Sequence, residues 1–337
     1  MPGIDLLFIS LSLKDTPLGY TPPLGPAVNL SVFYNQRESA QPANFTYSNL
    51  GPKWTFGWTS YLVDDPTHPY ENVRYYRMGG FTRLFKNNGG GFSPQLYDQT
   101  KLTRLSAASY EILWPDGSKA IFAQPDGSAG NSRKLFLTQL LDPAGDGLTF
   151  TYDASLRLAA LTDALGQVTT LTYGLPADPY KITQITDPFG RSASFDYDST
   201  GRLAQITDVI GLASQFHYDG AGDFINELVT PYGSTTFVKA EAGTTRSLEI
   251  RYPDSNRERA EFNQTPTLIP DSEPSVAVPT GMRTRNQYLV YRNTYYWSRT
   301  ACALAYGDYT KAKIYHWLHF SGAAGIPESV KEPLENR

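Results

Sequence analysis

The chain has 337 residues, of which 40% are hydrophobic and 13% aromatic, and its formal net charge is −4. This composition allows a large core, and the charge gives no reason to expect binding to nucleic acid or to an anionic membrane. A single cysteine, Cys302, excludes an intramolecular disulfide framework and a CxxC-type zinc site. The apolar start contains Asp5 and no basic residues, so we expect no signal peptide, and we expect no membrane span.

Residues 1–135 are predicted to form an N-terminal β region. Segments such as Val28–Tyr34 alternate apolar and polar residues, as a half-buried strand does. Tyr110–Trp114 is a second such segment, and it runs directly into a Pro-Asp-Gly turn. Residues 86–94 are rich in asparagine and glycine and predict a loop.

Residues 136–240 contain an imperfect repeat. Its tyrosines, Tyr152, Tyr173, Tyr197 and Tyr218, recur at intervals of 21, 24 and 21 residues. A period in this range indicates units that stack because none can bury its own apolar face. Each unit carries Asp-x-x-Gly turns, in which aspartate caps the following amides and glycine supplies a positive φ. The turn residues are Asp153, Asp163, Gly166, Asp187, Gly190, Asp198, Gly201, Asp208 and Gly211.

The spacing of these turns predicts a continuous antiparallel meander. Neighbouring turn aspartates are mostly 10 or 11 residues apart, which leaves strands of roughly 6–7 residues. Such a long open ribbon has exposed edges, so we expect it to curl into a spiral or shell. The predicted fold class is therefore all-β, an antiparallel β-hairpin meander curling into a spiral or shell, with one short C-terminal helix.

Residues 241–337 form a predicted C-terminal segment of different character. It begins with a hairpin over Arg246–Tyr252 and Arg259–Phe262, and a strap rich in proline and threonine follows over 263–281. The helix is predicted near 308–320, because Asp308 is a suitable N-cap and apolar residues then recur at helical spacing. The aromatic residues Tyr295, Tyr296 and Trp297 could either stack on sugars or pack the end of the sheet, and packing is favoured.

The residue patterns do not favour catalysis. The repeated aspartates stand before a glycine three residues on, as turn residues do, rather than at calcium-ligand or paired-carboxylate spacing. His316 and His319 could share a metal on the predicted helix, but no third ligand lies nearby in sequence. A Gly-x-Ser-x-Gly motif is absent from the sequence, and Cys302 is predicted to be a buried, small apolar residue. We therefore predict no enzyme activity, cofactor or metal.

The phrase Tyr-Asp-x-x-Gly-Arg-Leu-x-x-Ile-Thr-Asp-x-x-Gly, best preserved over 197–211, resembles the YD repeat of the Rhs family. The same repeat occurs in the C components of Tc insecticidal toxins and in teneurins. The clear match covers about 100 residues, and a segment around Leu50–Trp58 resembles the one that often precedes such repeats. Two departures are Gly174, which replaces the expected aspartate, and Gly222-Asp-Phe224, which replaces Gly-Arg-Leu.

The resemblance implies a spiral β-shell around a hollow interior that encloses a toxic C-terminal polypeptide. The chain then looks like an N-terminal portion of a longer Rhs protein. Its expected partners are the remainder of that chain, its toxin cargo, and a secretion-apparatus or Tc-type partner. We expect a secreted or cell-surface location reached by a dedicated secretion route.

A non-enzymatic encapsulation shell is thus the first functional hypothesis. The alternative is a cell-surface adhesion or carbohydrate-binding module that contacts surface glycans through exposed aromatic residues.

Overall fold

The computed structural model describes residues 2–264, 292–318 and 325–333. Within these ranges the chain is almost entirely antiparallel β-sheet, with a single α-helix, α1 (Arg299–Ala305), and a short 3-10 helix, Tyr309–Lys311. The predicted all-β class, the hairpin meander and the short C-terminal helix are confirmed. The chain divides into two compact units, one of Leu13–Gln215 and one of Pro2–Ser12 with the residues from Phe216 onward.

Four strands near the start form a separate sheet in the order β1-β2-β3-β4. These strands are β1 (Pro2–Asp5), β2 (Ser10–Tyr20), β3 (Val28–Asn35) and β4 (Trp54–Phe56). In β3 the side chains of Val28, Leu30, Val32 and Tyr34 are all buried, so every second residue faces the core. The predicted strand at Val28–Tyr34 is confirmed.

Seven further strands come before the repeats. They are β5 (Tyr61–Asp64), β6 (Val73–Tyr76), β7 (Thr82–Phe85), β8 (Lys101–Ser106), β9 (Ser109–Leu113), β10 (Lys119–Pro125) and β11 (Arg133–Leu141). Strand β11 is a branch point, because Arg133–Phe136 pairs with β5 and Gln139–Leu141 pairs with β12 (Gly147–Tyr152). Beside β5, the rings of Tyr47, Tyr61, Tyr76 and Phe136 form a buried aromatic cluster.

The repeat region continues the sheet strand by strand. After β12 come β13 (Leu158–Thr162), β14 (Val168–Thr172), β15 (Gln184–Thr186), β16 (Ser192–Tyr197), β17 (Leu203–Thr207) and β18 (Ala213–Tyr218). Each strand from β12 to β18 pairs antiparallel with the next. The strands have 3 to 6 residues, shorter than predicted, because each turn takes up more of the 10- or 11-residue spacing.

The second unit also contains a meander. Its strands are β19 (Ile225–Thr230), β20 (Gly233–Ala242), β21 (Thr245–Arg251), β22 (Arg257–Asn263), β23 (Asn293–Trp297), β24 (Lys313–Trp317) and β25 (Pro327–Lys331). Consecutive strands from β19 to β25 pair antiparallel. The predicted hairpin at Arg246–Tyr252 and Arg259–Phe262 is confirmed as β21 and β22.

The predicted helix near 308–320 is wrong in its described part. Asp308 does cap a helix, but the 3-10 helix it caps ends at Lys311, and Lys313–Trp317 is strand β24. Ile314 and His316 are fully buried while Lys313 and Tyr315 are only partly buried, so the burial pattern has the period of two of a strand. Hydrogen-bonding neighbours on both sides, β23 and β25, outweigh the helical spacing in the sequence.

The short helix lies earlier, at Arg299–Ala305, where Ser298 caps it by accepting a hydrogen bond from the Ala301 amide. His319 and most of the predicted strap over 263–281 lie outside the described residues. The division into regions 1–135, 136–240 and 241–337 stays a prediction.

Candidate functional site

The repeat turns are built around one carboxylate each. In Asp163, Asp187, Asp198 and Asp208, Oδ1 accepts the amides two and four residues on, at 2.9–3.0 Å. The glycines three residues after these aspartates, Gly166, Gly190, Gly201 and Gly211, have φ between +79° and +84°. Only glycine enters this left-handed region without strain, so the Asp-x-x-Gly spacing follows from the turn geometry.

Arginine completes three turns of this kind, those of Asp153, Asp187 and Asp198. Nε of Arg157, Arg191 and Arg202 donates to Oδ2 of the aspartate four residues earlier, each at 2.7 Å. Although burial opposes the shift, the hydrogen bonds from Thr200 and Arg202 lower the pKa of Asp198 to about 2. The carboxylate is therefore ionised and fully engaged in holding its own turn.

Three of the repeat tyrosines tie their hairpin to the previous one. Tyr152 donates to the Leu137 carbonyl at 2.8 Å, Tyr173 to the Leu158 carbonyl at 2.8 Å, and Tyr197 to the Ile182 carbonyl at 2.6 Å. Each bond spans 15 residues, so the three contacts are copies of one another. Burial raises the pKa of the Tyr152 and Tyr173 hydroxyls, which stay protonated donors.

Cations cover two of these tyrosine rings. The Arg157 guanidinium lies 4.9 Å from the centre of the Tyr173 ring, and the Lys181 ammonium lies 5.2 Å from that of Tyr197. The Arg157 side chain therefore has two contacts: it donates to the carboxylate of its own turn, and it lies over the tyrosine ring of the next unit. We call this combination of turn aspartate, following arginine and bridging tyrosine the repeat lock.

Asp153 makes the same turn without a glycine. Its fourth position is Leu156, which has φ +61°. A leucine is strained in this conformation. Its side chain packs on the aromatic cluster of Tyr47, Tyr61, Tyr76 and Phe136, which offsets the strain.

The expanded unit after Tyr173 accommodates another segment of the chain. Gly174 replaces the motif aspartate, and residues 175–181 form a loop instead of a tight turn. Residues 47–51 pack against this loop. The Asn49 backbone amide donates to the Tyr180 carbonyl, and the Asn49 carbonyl accepts a hydrogen bond from the Ile182 amide. The Ser48 hydroxyl oxygen lies 2.6 Å from the Tyr173 hydroxyl and accepts the Leu158 amide at 2.7 Å. The departure from the repeat thus provides a docking place for the N-terminal region.

The predicted sugar or packing aromatics lie mainly in the core. Tyr295 is 2% and Trp297 1% exposed, and both pack with Cys302, Ala312 and Ile314. The Trp297 indole donates to the Asp308 carbonyl at 3.0 Å. Tyr296 is partly buried on the other face of β23, where its hydroxyl donates to Glu258 at 3.0 Å. This arrangement favours packing over sugar stacking for these three residues.

Cys302 is buried in this cluster, as expected, and burial raises the pKa of its thiol. Such a thiol is a poor nucleophile at neutral pH. His316 is also buried, with Nδ1 2.9 Å from Asn293 Oδ1 and Nε2 3.6 Å from Glu328 Oε2. Across residues 2–264, 292–318 and 325–333, no three His, Cys, Asp or Glu side chains are arranged to hold a metal ion.

Two buried ionic groups were not predicted. Arg133 makes a two-pronged contact with Asp64, at 2.9 and 2.7 Å, and the Tyr110 hydroxyl donates to the same carboxylate. Arg133 and Asp64 are 69 residues apart and belong to no motif. In the second unit, Glu249 is 3% exposed and lies among Arg251, Arg257 and Arg259. Only pairing of the strands brings these residues together.

Residues 181–209 match the family model described as RHS Repeat. This part of the chain therefore carries an RHS repeat. The matched segment contains the complete lock of Tyr197, Asp198 and Arg202. A search of curated proteins found no match to this chain.

Solved Tc toxin structures show a weak similarity to this chain. The Tc holotoxin pore of Photorhabdus luminescens is 12% identical with a TM-score of 0.29, over 79% of this chain and 14% of that chain. A TcdB2–TccC3 structure without its hypervariable C-terminal region is 9% identical with a TM-score of 0.28, over 82% of this chain and 15% of that chain. TM-scores this low do not define a shared arrangement, so the similarity to the Rhs family rests on the repeat at 181–209. The chain spans about one seventh of the length of these proteins.

No helix in the described part of the chain combines the length and the hydropathy needed to cross a bilayer.

Proposed function

We propose that this chain is a non-enzymatic wall segment of a longer Rhs protein that encapsulates or presents a C-terminal toxin or effector polypeptide. The observation that carries the proposal is the repeat lock. In the two complete locks, those of Asp153 and Asp198, the aspartate, the arginine and the tyrosine are all engaged in holding hairpins together, so these groups are not available for catalysis. A wall of this kind extends by adding hairpins of one design.

The proposed role implies the roles of the turn residues, the partners and the location of the protein. The turn aspartates and glycines are structural residues, and no cofactor is required. The partners are the remainder of the Rhs chain, its cargo polypeptide and a secretion-apparatus or Tc-type partner. A toxin carrier acts outside the producing cell, so the protein reaches the surface or the medium by a dedicated secretion route.

The test expresses the full reading frame from which this chain comes and follows limited proteolysis of the polypeptide downstream of Arg337. In the natural protein we expect this polypeptide to be degraded slowly, because the wall encloses it. A triple variant, Tyr197→Phe, Asp198→Ala and Arg202→Ala, removes one complete lock and should accelerate its degradation severalfold.

The matched control is Asp116→Ala, which removes an exposed turn aspartate outside the repeats. It should leave the rate of degradation unchanged. A reading frame without a downstream polypeptide would contradict the proposal. So would a polypeptide that is cleaved equally fast in the natural protein and in the triple variant.

A further inference from the structure

An open groove of about 980 Å³ lies in the first unit, outside the repeats. Its walls are the loop between β5 and β6, the loop between β7 and β8, and strand β8 itself. A volume of this size is in the upper range of small-molecule and cofactor sites in proteins.

Hydrogen bonds fix the groove walls relative to one another. The Asn87 amide donates to Asn72 Oδ1 at 2.9 Å, which joins the two loops. Arg104 on β8 donates to the Pro69 carbonyl at 3.3 Å, which joins the first loop to the strand. Walls that are tied in this way are ordered before a ligand arrives, so less conformational entropy is lost on binding.

The groove is nearly neutral. Among its lining residues, all in the described part of the chain, Arg104 is the only charged one. Its guanidinium also donates to the carbonyls of Ser106 and Ala107, and it lies 5.7 Å from the centre of the Tyr110 ring. Because each of its three side-chain nitrogens already donates to a backbone carbonyl, Arg104 acts mainly as a structural brace.

One aromatic ring is presented to the groove. Tyr70 is 78% exposed, whereas Phe92 is half-buried and packs 6.2 Å from Tyr110. Asn87 and Thr103 place an amide and a hydroxyl among the other lining residues. Beside them, Gly89 and Gly91 leave the groove wide, because a Cβ at either position would meet nothing within 4 Å.

We propose that this groove binds a neutral oligosaccharide, with Tyr70 as the platform on which a sugar ring stacks. A sugar ring has an apolar C–H face for Tyr70 and hydroxyls that pair with the side chains of Asn87 and Thr103. An aromatic platform beside a few placed polar groups is the usual composition of a small-ligand site. Grooves for proline-rich peptides are lined by several aromatic side chains. The single exposed ring here favours the sugar.

The test titrates the full chain calorimetrically with neutral hexasaccharides of glucose, mannose, galactose and N-acetylglucosamine. A sialylated oligosaccharide and a proline-rich decapeptide are titrated in parallel. We expect at least one neutral hexasaccharide to bind saturably and Tyr70→Ala to weaken that binding by about tenfold or more, whereas Tyr70→Phe keeps the stacking face and most of the affinity.

The matched control is Tyr97→Ala. Tyr97 is 92% exposed in the same β7–β8 connection but is not part of the groove lining, so its loss should leave binding unchanged. Circular dichroism checks that each variant is folded. Three results would overturn the proposal: none of the neutral hexasaccharides binds, Tyr70→Ala binds as tightly as the natural chain, or only the sialylated sugar or the peptide binds. None of them bears on the shell role, which depends on residues elsewhere.

Discussion

The repeats and the sheet of the second unit use tyrosine side chains differently. In the repeats, arginine reaches an aspartate four residues away and tyrosine reaches a carbonyl 15 residues away. On β21 and β22, tyrosines that are distant in sequence donate to carboxylates. Tyr306 donates to Glu249 across 57 residues, and Tyr309 donates to Glu261 across 48 residues at 2.8 Å.

This difference separates stabilisation by contacts that are local in sequence from stabilisation by contacts between distant segments. A repeat lock is local, and each copy contributes a modest amount that can be repeated along the chain. The carboxylates of β21 and β22 depend on α1 and the residues that follow it, because Tyr306 and Tyr309 come from the segment that joins β23 to β24. We therefore expect single substitutions to have larger effects in the second unit than in a repeat.

The largest effect is expected at the aromatic core of the second unit. Trp297→Ala removes a 1% exposed ring and its contact with Tyr309, 5.3 Å between ring centres. The free energy of unfolding should fall by about 3–5 kcal/mol, measured by urea denaturation with circular dichroism. Tyr232→Ala, at an 80% exposed position, is the control and should change it by less than about 0.5 kcal/mol. Equal effects would mean that Trp297 is not a core residue in solution.

A smaller loss is expected at the buried carboxylate of β21. Glu249→Gln removes the negative charge that pairs with Arg251, whose Nε lies 2.6 Å away, and with the arginines on β22. Hydrogen bonds to charged groups contribute about 1.5–3 kcal/mol, and the loss should lie in that range. The control, Glu71→Gln, changes an exposed carboxylate. If both variants unfold at the same urea concentration as the natural chain, the arginine cluster does not stabilise the fold.

The glycine of a repeat turn tests the local type of stability. Gly166→Ala places a Cβ in open space but at φ +79°, so the backbone conformation alone is penalised. We expect a loss of about 1–2 kcal/mol. Gly130→Ala is a matched control, because its Cβ also meets nothing within 4 Å and its φ is not in the left-handed region. A loss that is equal in the two variants would disprove the turn assignment.

The bridging tyrosine should contribute about as much as one hydrogen bond. Tyr197→Phe keeps the ring but removes the donor to the Ile182 carbonyl, and the expected loss is about 1 kcal/mol in urea denaturation. Tyr232→Phe removes an exposed hydroxyl and should have no measurable effect. If Tyr197→Phe does not change the free energy of unfolding, the tyrosine hydrogen bond does not stabilise the fold, and only the aspartate and the arginine of the lock do.

The smallest effect is expected from the turn carboxylate as the pH falls. The folded-state pKa of Asp198 is lowered to about 2, so its stabilising contribution is complete above the ordinary aspartate pKa near 4 and is lost as the pH falls towards 2. Asp198→Asn should therefore reduce the dependence of unfolding free energy on pH between about 4 and 2. Because the side chain is 25% exposed, solvent keeps the effect below about 1 kcal/mol. An unchanged pH profile in the variant would show that this carboxylate is not stabilised in the folded state.

Much of the repeat could be predicted from the sequence. The Asp-x-x-Gly spacing predicted turns, and the structure places a positive φ at Gly166, Gly190, Gly201 and Gly211. Leu156 could not be recognised as a turn residue, because the packing that offsets its strain involves Tyr47 and Phe136, which are far away in sequence. The groove at Tyr70 was also missed, since its walls come from three separate segments.

Residue types and their spacing predicted the all-β class, the spacing of the hairpins and the tyrosines that mark successive repeats. These depend on interactions over a few residues, where residue type and spacing fix the backbone. By contrast, the folded structure was needed to show that 313–317 is a strand and that Glu249 lies among arginines. A short segment has weak intrinsic preferences, so the strands that pair with it and the side chains that bury it determine its conformation.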